Sequence, residues 1–324
     1  MNADRLNLHI CMCSICNVNI RCLPPSKEKK NKGRGGTEIQ IRRAFNNDLF
    51  PALQHKPLKN ISRTDLLSIQ QKIEARGALS IAEKVRSWLN EIFRYAVATG
   101  ELETNPAADL DIAGLPYRRN KHYPYIKMRD MPELMAKIPH YKGSRQTVLG
   151  LRLLLLTGVR TGELRFSEFW RFELEPGKEI WRIPAEDVKQ LQKVKNQLDE
   201  NVPDYIVPLS RQAVAVVKEL ISYSMPGQRY VLAHRSLPRE AISENTLNGA
   251  LKRMGFKNRL SPHGVRATIS TALNEKRYDK DFVEAQLSHA GDNKVRAIYN
   301  HAEYVEHCRH MMQDWACLSK QLLY

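Results

Sequence analysis

Leu287-Ser-His-Ala-Gly-Asp-Asn-Lys-Val-Arg-Ala-Ile-Tyr-Asn-His-Ala302 places a tyrosine, Tyr299, ten residues after a histidine, His289. Two stretches upstream carry matching chemistry: Thr157-Gly-Val-Arg-Thr-Gly-Glu163 and His263-Gly-Val-Arg266. Together they offer a phenol as nucleophile, two guanidinium groups (Arg160 and Arg266) that can grip a phosphate by bidentate contacts, and imidazoles to steer protons. A phenol with a pKa of about 10 attacks at neutral pH only in a cationic pocket with a proton acceptor beside it. The arginines and His263 can supply both. His263 lies three residues before Arg266, so a helix through them puts both on one face. The set is suited to breaking a phosphodiester through a phosphotyrosine bond.

The composition points to the same kind of substrate. Across 324 residues, 51 Lys and Arg against 35 Asp and Glu leave a net charge of +16, an excess that attracts a polyanion whatever its sequence. A chain of this length can bury two cores. No apolar run approaches the roughly 18 residues that span a bilayer, and the start lacks a signal peptide's pattern; a cytoplasmic, DNA-associated protein without membrane contact is expected. The six cysteines form no even scaffold and suit a reducing compartment. No nucleotide-binding glycine loop and no cluster of acidic ligands is present, so neither a cofactor nor a metal is expected at the reacting centre.

Residues 1–39 read as an irregular basic segment. Cys13 and Cys16 have the spacing of a zinc half-site, with Cys22 or His9 as further ligand types, but no second pair follows, and thiols on a tail are the simpler reading. Pro24 to Gly36 reads as a disordered basic linker. Order is expected from about residue 40. Ser62 with Asp65 predicts a capping box that opens a helix over 63–76, closed by Gly77. A longer amphipathic helix follows, with Ile81, Val85, Trp88, Leu89, Ile92, Phe93 and Ala96 on its apolar stripe and Gly100 as its stop. The proline-rich, basic stretch 114–124 predicts a linker and a boundary at about residue 120. Beyond it, helices are expected over 131–138 and 147–156, the latter apolar all round and ended by Gly158. Two short strands, 178–184 and 205–209, flank the polar stretch 189–204, which reads as a hairpin with a mobile basic tip. Ser210 caps a helix that turns Ala213, Val216, Val217 and Leu220 inward. The rest reads as mostly helical.

Six blocks in order, Thr157–Glu163, Ile183-Pro-Ala-Glu-Asp-Val-Lys189, Ile206-Val-Pro-Leu-Ser-Arg-Gln, Ser261-Pro-His-Gly-Val-Arg-Ala-Thr, Glu284-Ala-Gln-Leu-Ser-His289 and Tyr299-Asn-His-Ala-Glu-Tyr, resemble those of the phage-type tyrosine recombinases, in particular the integrases of prophages and genomic islands. Each block alone is weakly specific, and their order over roughly residues 40–324 carries the resemblance. It implies a mainly α fold with a small antiparallel β-sheet: a helical core-binding, DNA-binding domain over 40–119 and an α+β catalytic domain over 120–324.

The resemblance also implies roles. Arg160 and Arg266 would clamp the scissile phosphate, with His263 beside them. Tyr299 would be the nucleophile and Tyr304 a decoy, His289 would hydrogen-bond the phosphate or the nucleophile, and Glu163 would support Arg160 from behind. A lysine on the strand-to-strand turn would protonate the leaving 5′ oxygen. Lys189 stands at the expected place, with Lys193 and Lys195 as alternatives because the turn is long. Position 301, a histidine here, is more usually arginine in these relatives, which touches a neighbour of the nucleophile. Such integrases usually begin with a separate arm-binding domain, and residues 1–39 do not look like one. The implied activity is DNA cleavage and rejoining for integration or excision of a mobile element, on double-stranded attachment-site core DNA, as a homotetramer, with a possible accessory DNA-bending or directionality factor. A type IB topoisomerase-like relaxing enzyme and a noncatalytic DNA-binding remnant are the alternatives.

Overall fold

The computed structural model describes residues 11–12, 18–19, 37–116, 123–192, 202–288 and 304–321. Cys13, Cys16 and Cys22, the basic stretch 24–36, Lys193, Lys195, His289, Tyr299 and His301 lie outside them. The described chain is mainly helical, with one three-stranded antiparallel sheet and a separate two-residue pairing of Cys11–Met12 with Val18–Asn19. It divides into two compact units, Met1–Lys121 and His122–Tyr324.

In the first unit, α1 (Thr37–Ala44) runs on through a wider π turn, Phe45–Leu49, before α2 (Arg63–Ala75) and α3 (Leu79–Ala98). Local chemistry sets the ends of α2. The Ser62 hydroxyl accepts from the Asp65 amide (3.3 Å) and the Asp65 carboxylate accepts from the Ser62 amide (3.0 Å), completing the capping box. Gly77, at φ +77°, then turns the chain into α3. Phe45, Leu49, Leu66, Ile69, Val85, Trp88 and Phe93 form the buried core.

The second unit is built around α5 (Arg145–Thr157), buried along nearly its whole length, with α4 (Met131–Lys137) before it and α6 (Thr161–Arg165) after it. Ser144 caps α5, and Gly158, left-handed at φ +67°, ends it. The sheet runs β1 (Phe172–Glu173), β2 (Ile180–Ile183), β3 (Tyr205–Pro208), with β2 in the middle. β1 has no counterpart in the sequence reading, because a two-residue strand shows no alternation. The stretch expected to be a mobile hairpin tip begins as a helical turn over 189–192, since Leu191 packs on Ala185 and Val202.

Helices α7 (Arg211–Ser222), α8 (Thr246–Leu251), α9 (Pro262–Glu275) and α10 (Lys280–Gln286) complete the body. The Ser210 hydroxyl accepts from the Ala213 amide at the start of α7 (3.2 Å). The last helix, α11 (Val305–Gln321), buries Cys308, Met311, Met312, Trp315 and Ala316, and Trp315 Nε1 donates to the Leu155 carbonyl of α5 (2.8 Å). Burying five such side chains removes enough apolar surface to hold the helix in place. No helix among the described residues is long and apolar enough to cross a membrane.

Candidate active site

The site forms where the C-terminal end of α5 meets the end of α10. Thr157 closes α5 with its hydroxyl on the Leu153 carbonyl (2.7 Å), and the left-handed Gly158 points the following residues away from the helix axis. A Cβ at Gly158 would stand 2.9 Å from Leu287 Cδ2, so the turn needs glycine both for its φ and for its closeness to α10. Two residues on, Arg160 lies just before α6. Glu163, buried in the first turn of that helix, accepts from the Arg160 amide (2.7 Å) and from Arg160 Nη1 (3.0 Å). The carboxylate thus fixes the start of the helix and the arginine together.

Arg266 enters from α9 and is buried. Its Nη1 donates to the Gly158 carbonyl and its Nη2 to the Leu287 carbonyl, while Nε has no hydrogen-bond partner among the described residues. Burial, and then the charge of Arg160, pull its pKa down to about 10, which leaves it a cation at neutral pH. Arg160 Nη2 donates to the Ser288 carbonyl (2.9 Å). Tyr205, at the start of β3 and fully buried, donates its hydroxyl to the Gln286 carbonyl, and Gln286 Nε2 donates back to the Thr157 carbonyl (2.9 Å). Three successive carbonyls, of residues 286, 287 and 288, are therefore held by Tyr205, Arg266 and Arg160. Ser288 sits at φ +48°, a conformation non-glycine residues rarely adopt and one that its surroundings must hold. His289 follows it directly.

His263 is exposed on the first turn of α9, its ring 4.3 Å from that of Tyr123. The backbone of 124–126 lies along this end of the helix. The Ser261 amide donates to the Pro124 carbonyl (3.0 Å), Thr268 Oγ1 donates to the Ile126 carbonyl (2.8 Å), and a Cβ at Gly264 would fall 1.9 Å from the Pro124 oxygen. His263 and Arg266 do share α9, but the imidazole faces outward and the guanidinium inward. Lys189 is exposed at the start of the 189–192 turn, beyond a short 3-10 turn, Ala185–Asp187. Tyr304 packs edge-on against Phe282, with ring centroids 5.0 Å apart. Among the described residues, no group of three or more His, Cys, Asp or Glu is placed to hold a metal ion.

Two family models match this chain: the phage integrase central domain over residues 26–113 and the phage integrase family over residues 124–306. The chain belongs to the phage integrase family. It is a tyrosine-type site-specific DNA recombinase. It is 32% identical over 288 residues to the integrase of Shigella phage Sf6, covering 89% of this chain and 71% of that one. It is also 32% identical over 290 residues to the prophage integrase IntS of Escherichia coli K12, covering 90% and 72%. Among solved structures, a lambda integrase tetramer bound to a Holliday junction resembles it with a TM-score of 0.56 at 18% identity, covering 83% of this chain and 74% of that one. Of the recombinase residues expected from the sequence, the structure gathers Arg160, Glu163 and Arg266 into one hydrogen-bonded group and sets His263 on the same helix as Arg266. Lys189 stands apart in sequence and structure, exposed on the turn that follows β2. The sequence reading passed over Tyr205 and Gln286. The available signal was an inward-facing strand tyrosine, whose buried hydroxyl needs a partner.

Proposed function

We propose that this recombinase cleaves one strand at each core site by attack of Tyr299 Oη on the scissile phosphorus. The new bond is a 3′-phosphotyrosine, and the bond that breaks releases the 5′ oxygen, which takes a proton from Lys189 Nζ and departs as a hydroxyl. Arg160 and Arg266 hold the nonbridging oxygens, where charge grows in the transition state. His263 receives the phenolic proton, and His289 hydrogen-bonds the phosphate or the nucleophile. A 5′-hydroxyl from a second duplex then attacks the phosphotyrosine and reverses the chemistry, so the energy of the original bond is retained without ATP or metal. Residues 40–119 are assigned as the core-binding domain and 120–324 as the catalytic domain. The working assembly is a homotetramer on attachment-site DNA, as in the lambda integrase structure bound to a Holliday junction, acting in the bacterial cytoplasm to integrate or excise a mobile element. Accessory DNA-bending or directionality factors fit this scheme.

The observation that carries the reading is the capture of the Leu287 and Ser288 carbonyls by the two guanidinium groups. It holds the two cations at the two residues that precede His289, which is itself ten positions before the nucleophile. A nicked suicide substrate, from which the cleaved end diffuses away, tests it. Wild type is expected to accumulate a covalent protein–DNA adduct, Tyr299→Phe to form none while binding DNA as before, and Tyr304→Phe to retain it. An adduct in Tyr299→Phe and none in Tyr304→Phe would refute the assignment.

A further inference from the structure

The turn that presents Lys189 stands on a buried ion pair. Arg171 and Asp187 are 2.8 Å apart (Nη1 to Oδ2), with side-chain exposures of 3% and 10%. The antiparallel register Phe172↔Trp181 sets Arg171, one residue before β1, beside the outgoing end of β2, where Pro184 leads into the turn Ala185–Asp187. That turn is tied down at each step. The Ala185 amide donates to Asp204 Oδ1 (3.2 Å), across the base of the hairpin, and the Asp187 amide to the Pro184 carbonyl (2.8 Å). Asp187 meets Arg171, and Val188 is fully buried. The next residue, Lys189, is exposed.

A buried ion pair is a poor way to gain stability, because stripping water from both charges offsets most of their attraction, and two apolar side chains of similar size commonly serve as well. This one is also imperfectly satisfied, since Arg171 Nε is buried without a hydrogen-bond partner among the described residues. A directional pair does fix the backbone it joins, and that matters here. A lysine delivers its ammonium through four rotatable bonds, so its reach is defined only as well as its Cα. Proton transfer to a leaving oxygen requires hydrogen-bond distance at the moment the P–O bond breaks.

We infer that the Arg171–Asp187 ion pair is the positioning device for Lys189, holding the turn so that the ammonium meets the departing 5′ oxygen. The inference rests on Lys189 being the general acid. Neither Arg171 nor Asp187 touches the reacting atoms.

The test uses the full-length protein and two suicide substrates, one with the ordinary 5′-bridging oxygen and one with sulfur there. Sulfur leaves as a thiolate and needs no proton. Asp187→Asn removes the negative charge at constant size, and Arg171→Gln removes the positive charge with a shorter polar side chain. Each is expected to cleave the oxygen substrate about tenfold or more slowly, to cleave the sulfur substrate near the wild-type rate, and to bind DNA as wild type does. A folding defect cannot mimic this, because a smaller active fraction lowers both rates in proportion. Equal slowing on both substrates, or no slowing on either, would overturn the inference. Lys189→Ala, run alongside, separates the two claims. If sulfur fails to rescue Lys189→Ala, the general acid lies elsewhere and the inference falls with it; if sulfur rescues Lys189→Ala alone, only the role of the pair is refuted.

Discussion

Tyr205→Phe isolates what a single hydroxyl does for the site. The ring stays, so no cavity opens in a position that is 1% exposed, and the donor to the Gln286 carbonyl is lost. Burial, followed by the charge of Glu163, pushes the phenol well above its ordinary pKa. The group therefore keeps its proton and serves as a donor throughout the working pH range. Withdrawing a donor from a buried carbonyl costs about 1–3 kcal/mol. For 150–250 residues each kcal/mol moves Tm by about 2–4 °C, so a fall of about 2–12 °C is expected. The kinetic effect follows from the neighbours. The carbonyls of Leu287 and Ser288, next in line, hold Arg266 and Arg160, and a displacement of about 1 Å in such a constellation costs up to about 10²-fold in rate. Single-turnover cleavage of the suicide substrate should thus slow by about 10- to 10²-fold, while DNA affinity by fluorescence anisotropy stays put. A variant that melts and cleaves like wild type, or that loses affinity in place of rate, would refute the view that Tyr205 organises the arginines.

Cleavage should persist in EDTA, because in the proposed mechanism two arginines and a lysine supply the positive charge that metal-dependent nucleases draw from Mg²⁺; activity lost on chelation and restored by Mg²⁺ would rule out the mechanism. Burial pushes the Cys308 thiol up to about 12, so its reactive thiolate is scarce at pH 8. Iodoacetamide should then modify the partly exposed Cys317 well before Cys308, as peptide mass spectrometry will show, and equal labelling would contradict the packing of α11. Gly158→Ala forces a left-handed alanine into a turn at φ +67° and sets its Cβ against Leu287. A loss of about 1–2 kcal/mol is expected in urea titrations, and an unchanged midpoint would remove the steric argument.

What could be read from the sequence was local. The Ser62–Asp65 box, the Ser210 cap, the glycine after Thr157 and the inward stripe of α7 each depend on residues within a few positions of one another, and the structure has them where the pattern put them. The arginines could be singled out by type and spacing, but not their partners. The Arg160–Ser288 and Tyr205–Gln286 contacts join residues 128 and 81 positions apart, and no periodicity encodes such pairings. β1 escaped for a related reason: two residues become a strand only because β2 lies alongside. The helical spacing of His263 and Arg266 was right as topology, yet it did not tell that one side chain faces out over Tyr123 and the other in towards Gly158. A three-residue interval leaves roughly 60° between side chains, enough to separate an exposed side chain from a buried one at the edge of a packed helix.

The acceptors chosen for the two guanidinium groups bear on how a phosphate is received. Of the four Nη hydrogen bonds described, three end on backbone carbonyls and one on the Glu163 carboxylate. A carbonyl satisfies a donor and orients it without cancelling its charge, whereas a carboxylate does both. Of the two cations only Arg160 is hydrogen-bonded to a carboxylate, while Glu163 and Glu284 act on Arg266 through space alone, in a largely dehydrated corner where Coulomb attraction is several times stronger than in water. A phosphodiester carries a single negative charge, and charge on its nonbridging oxygens is what the arginines can stabilise as the bond breaks. The lowered pKa of Arg266 reflects the unfavourable side of the arrangement: confined beside Arg160 and away from water, its charge is held at a cost that an incoming phosphate would relieve. A site that stored its arginines on two carboxylates would be more comfortable empty and weaker when filled.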